Sequence, residues 1–329
     1  MSIDLSIIIP TYNRLPLLQE ALDSFVDKLS CSYEVIIVDD GSTDGTIEYL
    51  QTLNEPCRFF LQAHKGGNAA RNNGLSRACG DYVKFLDDDD LLDPSTTDAQ
   101  VVFLNKNPDV NVCYSDWGQI IESDENIQAN IIHHYHVGEI EDAVVGALTN
   151  KLTCPFTYLI RRPAALRVMW DETLPAMQDH DFILRLALVK SWFGYVPTCG
   201  GYNRVHTYGW GKVSMMDGKK RANYRINITD NTLKLINEQG VMTAQRRQAI
   251  AQVYFDLAEQ FFLTDRRLFR QLIQKTLTIW PDYQANRPRF QFLARIFGYE
   301  IAEWLSVIRS RISQHLSSTS RKINIRQGL

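Results

Sequence analysis

Short apolar runs alternate with amphipathic segments over the first hundred residues. Each run is followed by turn-forming residues, a pattern that is typical of buried strands. These predicted strands lie at residues 5–9, 34–38, 58–61 and 82–86. Between them, apolar residues spaced three and four apart predict helices, the first of which carries Leu15, Leu18 and Leu22 on one face. The β-α-β order predicts a Rossmann-like α/β fold in which helices flank a mostly parallel sheet.

The pattern changes after residue 107 and again after about residue 215. Two strands are predicted in the middle region at 110–114 and 156–160, and three helices at 144–148, 164–170 and 179–189. The last region is almost wholly helical in pattern, with helices predicted at 217–238, 243–263, 265–279 and 288–316. We therefore expect one α/β domain over residues 1–214, in two halves that meet after residue 107, followed by a helical region over residues 215–329.

Composition and charge narrow the classes of function. The chain has 329 residues, of which 45% are hydrophobic and 22% charged, so a disordered or collagen-like chain is excluded. Its formal charge of −3 disfavours a basic nucleic-acid binder, and no nucleic-acid partner is expected. The sequence contains no run of 18 apolar residues, so no membrane-spanning helix is predicted. The first residues lack a basic leader and a cleavage site, which favours a cytoplasmic location.

The charge is unevenly distributed along the chain. Residues 266–329 hold 12 Lys and Arg residues against 3 Asp and Glu residues. Within this stretch, residues 288–316 place apolar side chains at helical spacing with arginines beside them. The pattern fits peripheral contact of residues 286–329 with the inner face of an anionic membrane. It equally fits a helix packed on the rest of the chain, which we favour, or a contact between two copies, so the oligomeric state stays open.

Two acidic clusters follow predicted strands. Four adjacent carboxylates, Asp87 to Asp90, repel one another, and a divalent cation such as Mn²⁺ or Mg²⁺ would relieve that repulsion. The alternative is a solvated acidic turn before a helix. Asp39 and Asp40 precede Gly41, and a carboxylate there can accept hydrogen bonds from a base N–H or a ribose hydroxyl. The alternative here is an ordinary β–α turn with a helix cap.

Parallel sheets bind ligands beyond the carboxyl ends of their strands, and both acidic clusters lie at that edge. The polar segment Thr11 to Arg14 follows the first strand to the same edge. The phosphate-binding glycine loops G-x-G-x-x-G and G-x-x-x-x-G-K-[ST] are absent from the expected positions. Their absence disfavours a dinucleotide-dependent dehydrogenase and a P-loop NTPase.

Four segments in order resemble the family-two glycosyltransferases of GT-A fold. They are SIIIPTYNR at 6–14, VDDGSTD at 38–44, GNAARNNG at 67–74 and GDYVKFLDDDD at 80–90. The resemblance is close over residues 3–94 and looser to about residue 206. It implies a metal-dependent, inverting enzyme that transfers a sugar from a nucleotide-diphosphate sugar, with UDP expected, to a saccharide or lipid-linked acceptor. It also implies a role in polysaccharide or glycolipid biosynthesis, with donor binding in the half 1–107 and acceptor binding in the half 108–214.

The resemblance also implies roles for individual residues. Donor binding falls to a set at the strand ends that packs the base, reads the uracil N–H, or approaches the ribose, diphosphate and metal-bound water: Pro10, Thr11, Tyr12, Arg14, Asp39, Asp40, Arg71, Asp87 and Asp88. Within this set Asp40 is favoured over Asp39 as the reader of the uracil N–H. Asp89 takes the place of the direct metal ligand. For Tyr12 and Arg71 the alternatives are ordinary packing and a surface arginine.

Two more residues are implied downstream. Asp179 takes the position of the catalytic base, which removes the proton of the acceptor hydroxyl. Here Gln178 stands where the family has glutamate, so acceptor binding or the placement of the base can differ. Alternatively, Asp179 only favours the start of a helix through its charge. His206 resembles a residue that completes the metal shell in some members, although a lone histidine is more often structural. The segment 207–214 fits a mobile lid or an ordinary loop.

Two other functions remain open on the residues. A sugar nucleotidyltransferase also uses a parallel sheet and acidic metal ligands, but it requires a glycine-rich basic loop where this chain has Pro10 to Asn13. A non-catalytic module of the same fold that binds nucleotide sugars would explain Gln178.

Overall fold

The computed structural model describes residues 3–122, 131–189, 192–206 and 217–284, together with Ala294 and residues 298–305. The chain divides into two compact units, residues 1–228 and 229–329. The domain boundary after residue 214, predicted from the sequence, stays a prediction. No helix among the described residues is both long and apolar enough to cross a membrane.

The first unit is built around a nine-stranded sheet. Its strands are β1 Leu5–Thr11, β2 Tyr33–Asp39, β3 Cys57–Leu61, β4 Tyr82–Phe85, β5 Leu91–Leu92, β6 Val112–Glu122, β7 Ile131–Tyr135, β8 Tyr158–Arg161 and β9 Phe193–His206. Their order is β3-β2-β1-β4-β8-β6-β9-β5, with β7 paired to β6. The four strands predicted over the first hundred residues are mutually parallel, as expected. The other half of the sheet is mixed, because β8 runs antiparallel to β4 and β6 while β6 and β9 are parallel.

Seven helices lie wholly within the described part of the first unit. They are α1 Leu15–Phe25, α2 Thr46–Leu50, α3 Gly67–Arg77, α4 Pro94–Lys106, α5 Ala143–Leu148, α6 Arg162–Val168 and α7 Gln178–Leu188. α8 Gly218–Glu238 follows, and α9 Ala244–Phe261 and α10 Arg266–Ile279 pack against each other in the second unit. The predicted helices at 217–238, 243–263 and 265–279 are confirmed. Most of the predicted helix 288–316 and of the basic tail lies outside the described residues.

The core explains why the first half folds as predicted. Every residue of β1 is buried, because helices cover both faces of a parallel sheet. α1 places Leu18, Leu22 and Phe25 against the strands. Gly74 of α3 lets that helix approach closely, since an added Cβ would lie 2.5 Å from Ile8 Cγ2. The polar ends of β1, β2 and β4 are therefore fixed by a well-packed interior.

The long strand β9 was not predicted from the sequence. It contains Pro197, Gly200 and Gly201, which normally interrupt strands. The ladder between β6 and β9 accommodates them through register shifts around Asp116. At Gly201 a side chain has no room, because an added Cβ would lie 2.2 Å from the carbonyl oxygen of Leu91 in β5.

Candidate active site

The carboxyl ends of β1, β2 and β4 meet at one edge of the sheet, which we call the acidic edge (residues 10–14, 39–42 and 87–90). Pro10 is buried in β1 opposite Val38, and Thr11 lies opposite Asp39. The N–H of Asp40 donates to the carbonyl of Thr11 at 2.9 Å. The Thr11 hydroxyl donates to Asp88 Oδ2 at 2.8 Å. The structure thus brings together three polar segments that the sequence separates by up to 77 positions.

Side-chain hydrogen bonds join the turn after β1 to the turn after β2. Asn13 adopts a positive φ of 51°, and its N–H donates to Ser42 Oγ at 2.8 Å. Its Oδ1 accepts from the N–H of Thr43 at 2.7 Å. Asparagine tolerates this left-handed conformation better than most residues, so its place in the sequence has a structural reason.

Asp39 and Asp40 use their carboxylates differently. Asp39 Oδ2 accepts from the N–H groups of Gly41 and Ser42 at 3.1 and 3.0 Å, which builds the turn after β2. Its Oδ1 is buried and has no hydrogen-bond partner among the described residues. Asp40 Oδ1 accepts from Gln62 Nε2 at 2.7 Å and from the N–H of Lys65 at 2.8 Å. Its Oδ2 accepts from the N–H of Gly66 at 2.8 Å.

A histidine completes the surroundings of Asp40. His64 Nδ1 donates to the backbone carbonyl of Asp40 at 3.1 Å, since a carbonyl only accepts, and it lies 2.8 Å from Asp40 Oδ2. The His64 ring stacks on Tyr12, with ring centroids 4.2 Å apart and planes 29° apart. The side chain of His64 is 59% exposed, whereas that of Asp40 is 3% exposed. Tyr12 and His64 therefore form an accessible aromatic pair above a buried carboxylate.

Arg14 pairs with two members of the acidic run. Its Nη1 donates to Asp88 Oδ1 at 3.0 Å and to Asp89 Oδ2 at 2.8 Å. Burial raises the pKa of Asp88 to about 7; the Arg14 charge opposes this shift and the neighbouring Asp89 adds to it. Asp88 is thus held by Thr11 and Arg14.

Asp87, Asp89 and Asp90 form a cluster of carboxylates in which one oxygen of each lies within 4.8 Å of the others. Asp90 is buried, and its Oδ1 accepts from Asn203 Nδ2 at 3.0 Å and from the N–H of Arg204 at 3.1 Å, both in β9. Burial, with the charges of Asp89 and Asp87, raises the pKa of Asp90 well above its usual range. Hard oxygen donors at this spacing fit a divalent cation such as Mg²⁺ or Mn²⁺.

Arg71 of α3 reaches the same carboxylates from the other side. Its Nη2 donates to Asp87 Oδ1 at 2.5 Å, and its Nη1 donates to Asn68 Oδ1 at 3.2 Å. The guanidinium carbon lies 4.6 Å from the centre of the Trp170 ring, in a cation–π contact. Arg71 is buried, so it is not the surface arginine that the sequence left open.

Trp170 is held through its ring and through its backbone. Its ring stacks on Phe182 of α7 with centroids 4.3 Å apart and planes 3° apart. Its backbone N–H donates to Asn72 Oδ1 at 2.8 Å, and Asn72 Nδ2 donates back to the Trp170 carbonyl at 2.9 Å. Trp170 thus connects α3, which carries Arg71, with α7, which carries Asp179.

Asp179 lies in the first turn of α7, directly after Gln178. Its Oδ1 is shielded from solvent and has no hydrogen-bond partner among the described residues. Burial raises the pKa of Asp179 to about 7; the charge of Arg71 opposes the shift, while the charges of Asp87 and Asp89 add to it. A carboxyl with a pKa near neutrality, close to the acidic edge, suits proton abstraction.

The remaining predicted residues fall partly outside the described structure. The backbone of His206 ends β9 opposite Glu122, but its side chain lies outside the described residues. The predicted lid at 207–214 also lies outside them.

Three residues at the site were not singled out from the sequence. In the sequence Asp90 is only one member of the acidic run, and no sequence pattern assigns His64 or Trp170 to the site. The spacing of Asp90 gave no reason to separate it from its neighbours. His64 and Trp170 are placed by contacts with Tyr12, Asp40 and Arg71, which a single sequence does not reveal.

The sequence model of Glycosyl transferase family 2 matches residues 6–168. A Campylobacter jejuni protein named GalNAc(5)-diNAcBac-PP-undecaprenol beta-1,3-glucosyltransferase is 41% identical over 93 residues, which are 27% of this chain and 30% of that protein. An uncharacterized glycosyltransferase of Rickettsia bellii is 31% identical over 201 residues, which are 56% of this chain and 28% of that protein. The chain therefore spans less than a third of the length of each of these two relatives.

The fold is shared with solved structures. The crystal structure of S. aureus TarS 1-349 in complex with UDP-GlcNAc superposes with a TM-score of 0.65 at 18% identity, covering 92% of this chain and 90% of that one. The complex of the same protein with UDP gives a TM-score of 0.63. This likeness confirms the GT-A-like fold that the sequence resemblance implied. With the family match over the whole acidic edge, it follows that residues 6–168 of the chain belong to Glycosyl transferase family 2.

Proposed function

We propose that this chain transfers a sugar from a nucleotide-diphosphate sugar to an acceptor hydroxyl, with inversion at the anomeric carbon, and that residues 1–214 carry the activity. The observation that carries this proposal is the position of Arg71. Its guanidinium bonds Asp87 at the acidic edge, and its charge acts on Asp179. The Arg71 guanidinium thus connects the residues predicted to bind the donor with the residue predicted to activate the acceptor.

UDP is the nucleotide we propose for the donor. Tyr12 offers an exposed aromatic face beside the Asp40 carboxylate, which suits a flat base with an N–H donor. Arg71 and Arg14 lie where a diphosphate would need positive charge. TarS, which shares the fold, has been crystallised with UDP and with UDP-GlcNAc, and this supports the choice of nucleotide.

We propose that Asp89, with Asp87 and Asp90, holds Mn²⁺ or Mg²⁺, and that His206 adds a ligand. The three carboxylates supply the hard oxygen donors that these ions prefer. When bound, such an ion would act as a Lewis acid that stabilises negative charge on a leaving diphosphate. Arg14, which already bonds Asp89, would keep that carboxylate oriented.

The reaction we propose is a direct displacement. Asp179 accepts the proton of the acceptor hydroxyl while the hydroxyl oxygen forms a bond to the anomeric carbon. The bond from that carbon to the diphosphate oxygen breaks, and the nucleoside diphosphate leaves with the electron pair. Arg71 lies between the two events and favours the ionised form of Asp179.

The acceptor we propose is a saccharide or a lipid-linked saccharide, in polysaccharide or glycolipid biosynthesis on the cytoplasmic side of a membrane. The name of the C. jejuni relative includes an undecaprenol-linked saccharide, which supports this class. Peripheral membrane contact through residues 286–329 would bring the enzyme to such an acceptor.

Thermal unfolding with a panel of nucleotide sugars, with and without Mn²⁺, tests the proposal. A ligand well above its dissociation constant raises the unfolding temperature by mass action. We expect UDP-sugars to raise it more with Mn²⁺ than without, and release of UDP on addition of an acceptor. A protein that no nucleotide sugar stabilises, with or without Mn²⁺, would contradict the proposal. Stabilisation without any sugar transfer would instead indicate the non-catalytic module.

A further inference from the structure

The hydrogen-bond donors around Asp40 limit how the base of a donor can reach it. Four donors of the chain surround Asp40. Its carboxylate accepts three hydrogen bonds, from Gln62, Lys65 and Gly66. His64 Nδ1 donates to the backbone carbonyl of Asp40 and lies 2.8 Å from Oδ2, the carboxylate oxygen that accepts only one of the three. A carboxylate has about four lone-pair positions, so one position remains, on the oxygen that His64 covers. A base N–H can reach Asp40 Oδ2 only if one of these four donors leaves.

Three of the four donors are poorly placed to leave. The N–H groups of Lys65 and Gly66 belong to the backbone of the loop before α3, and releasing them would require the loop to move. Gln62 is held at its other end, because its Oε1 accepts from Asn73 Nδ2 at 2.8 Å. These contacts hold the β3–α3 loop against the end of β2.

His64 is the donor that can leave. Its side chain is 59% exposed, and it can rotate into solvent without moving the backbone. Its present position combines two contacts, a ring stacked on Tyr12 at 4.2 Å and a ring nitrogen, Nδ1, 2.8 Å from Asp40 Oδ2. These are the two contacts that the resemblance assigns to the base of the donor, at the same two residues.

We propose that His64 occupies the nucleobase position in the free protein and sets the affinity for the donor by competing with the base. This inference rests on the proposed nucleotide-sugar donor. Binding replaces the His64 ring on Tyr12 by the ring of the base, and a base N–H takes the place of His64 Nδ1 beside Asp40 Oδ2. The cost of exchange equals the free energy that holds His64 in place, and it weakens apparent affinity by the fraction of protein in which the site is open.

The test is calorimetric titration of UDP, in the presence of Mn²⁺, into the wild-type protein and His64→Ala. We expect the variant to bind UDP about tenfold more tightly, because the resident competitor is gone. In sugar transfer, the donor KM should fall while kcat at saturating donor stays unchanged. Inorganic pyrophosphate, which lacks a base, should bind both proteins equally. His133→Ala, an exposed histidine of β7, serves as the matched control and should bind UDP as the wild type does.

A second variant separates the two contacts. His64→Phe keeps a ring for Tyr12 but cannot donate to Asp40, so its UDP affinity should lie between those of the wild type and His64→Ala. Unchanged or weaker UDP binding by His64→Ala, with binding by the wild type intact, would overturn this inference alone. Failure of the wild type and the variant to bind UDP, GDP or dTDP would overturn the proposed donor and the inference together.

Discussion

The acidic edge and the side of the site around α7 differ in how their polar groups are satisfied. At the acidic edge, Asp40, Asp88 and Asp90 each accept at least two hydrogen bonds from within the chain, and Asp39 Oδ1 is the exception. On the α7 side, buried polar atoms of Trp170, Asp179 and His180 have no hydrogen-bond partner among the described residues. A buried polar atom without a partner is costly, so such atoms often mark a place where substrate or solvent binds.

This difference indicates that the two sides are prepared in different ways. At the acidic edge, hydrogen bonds within the chain already hold the carboxylates, because Asp39 builds the turn after β2 and Asp88 is bonded to Thr11 and Arg14. The α7 side holds Asp179 in a shielded position with an unused oxygen and a pKa raised to about 7 by burial. Substitutions on the α7 side should therefore act on turnover, and substitutions at the acidic edge on binding.

The largest effect is expected for Asp179→Asn. Asparagine keeps the size of the side chain but cannot accept a proton, so transfer should fall by about 10²- to 10⁴-fold. Binding of UDP with Mn²⁺, measured by calorimetry, should stay near the wild-type value. Asp181→Asn is the matched control on the same helix, since Asp181 is paired with Arg185 at 2.7 Å. Equal loss of transfer in both variants would contradict the role of Asp179.

A smaller effect, on binding, is expected for Asp89→Ala. Loss of one carboxylate from the cluster should weaken the Mn²⁺-dependent part of UDP affinity by about 10- to 100-fold. UDP affinity without Mn²⁺ should change much less. Asp81→Ala, an exposed carboxylate just before β4, is the control. An unchanged Mn²⁺ dependence in Asp89→Ala would remove this residue from the metal site and weaken the contrast between the two sides.

Sequence patterns predict more of the acidic edge than of the rest of the site. The parallel strands and the residues of the acidic edge could be predicted, because apolar runs fix the strands and polar residues directly follow them. β9 could not be predicted, because its proline and glycines are tolerated only through bulges and close contacts with β5. The cation–π contact between Arg71 and Trp170 joins residues 99 positions apart, and no local pattern reports such a contact.

Trp170→Leu tests the connection between the two sides. The leucine fills part of the space but removes the ring that supports Arg71, and transfer should fall by about tenfold, in line with a buried cation–π contact. Trp170→Phe should restore most of the activity. In a double-mutant cycle with Arg71→Lys the two losses should be less than additive, because both act through one contact. Additive losses would contradict it, and Trp192→Leu, at a residue 73% exposed, should have no effect.

The smallest effect is expected for substitution of Lys84, which is buried like Asp179 but has hydrogen-bond partners within the chain. It is fully buried in β4, but its Nζ donates to Gln100 Oε1 at 2.7 Å and to the carbonyl of Phe156 at 2.8 Å. Burial lowers the pKa of Lys84 to about 7, while an unfolded lysine keeps a pKa near 10.4. Between these values the unfolded chain binds more protons at this residue than the folded chain, so this residue makes stability rise with pH.

We therefore expect Lys84→Met to reduce the rise in the free energy of unfolding with pH, by up to about 1.4 kcal/mol for each pH unit between pH 7 and 10. Burial raises the pKa of the neighbouring Cys113 to about 12, so that thiol stays neutral over this range. Denaturant unfolding of both proteins at pH 7.5 and 9.5 measures the difference. Turnover should not change, because Lys84 has partners within the core and needs none from a substrate. If Lys84→Met lost transfer but kept the pH dependence of stability, Lys84 would belong to the active site. Buried groups with hydrogen-bond partners could then no longer be separated in function from buried groups without them.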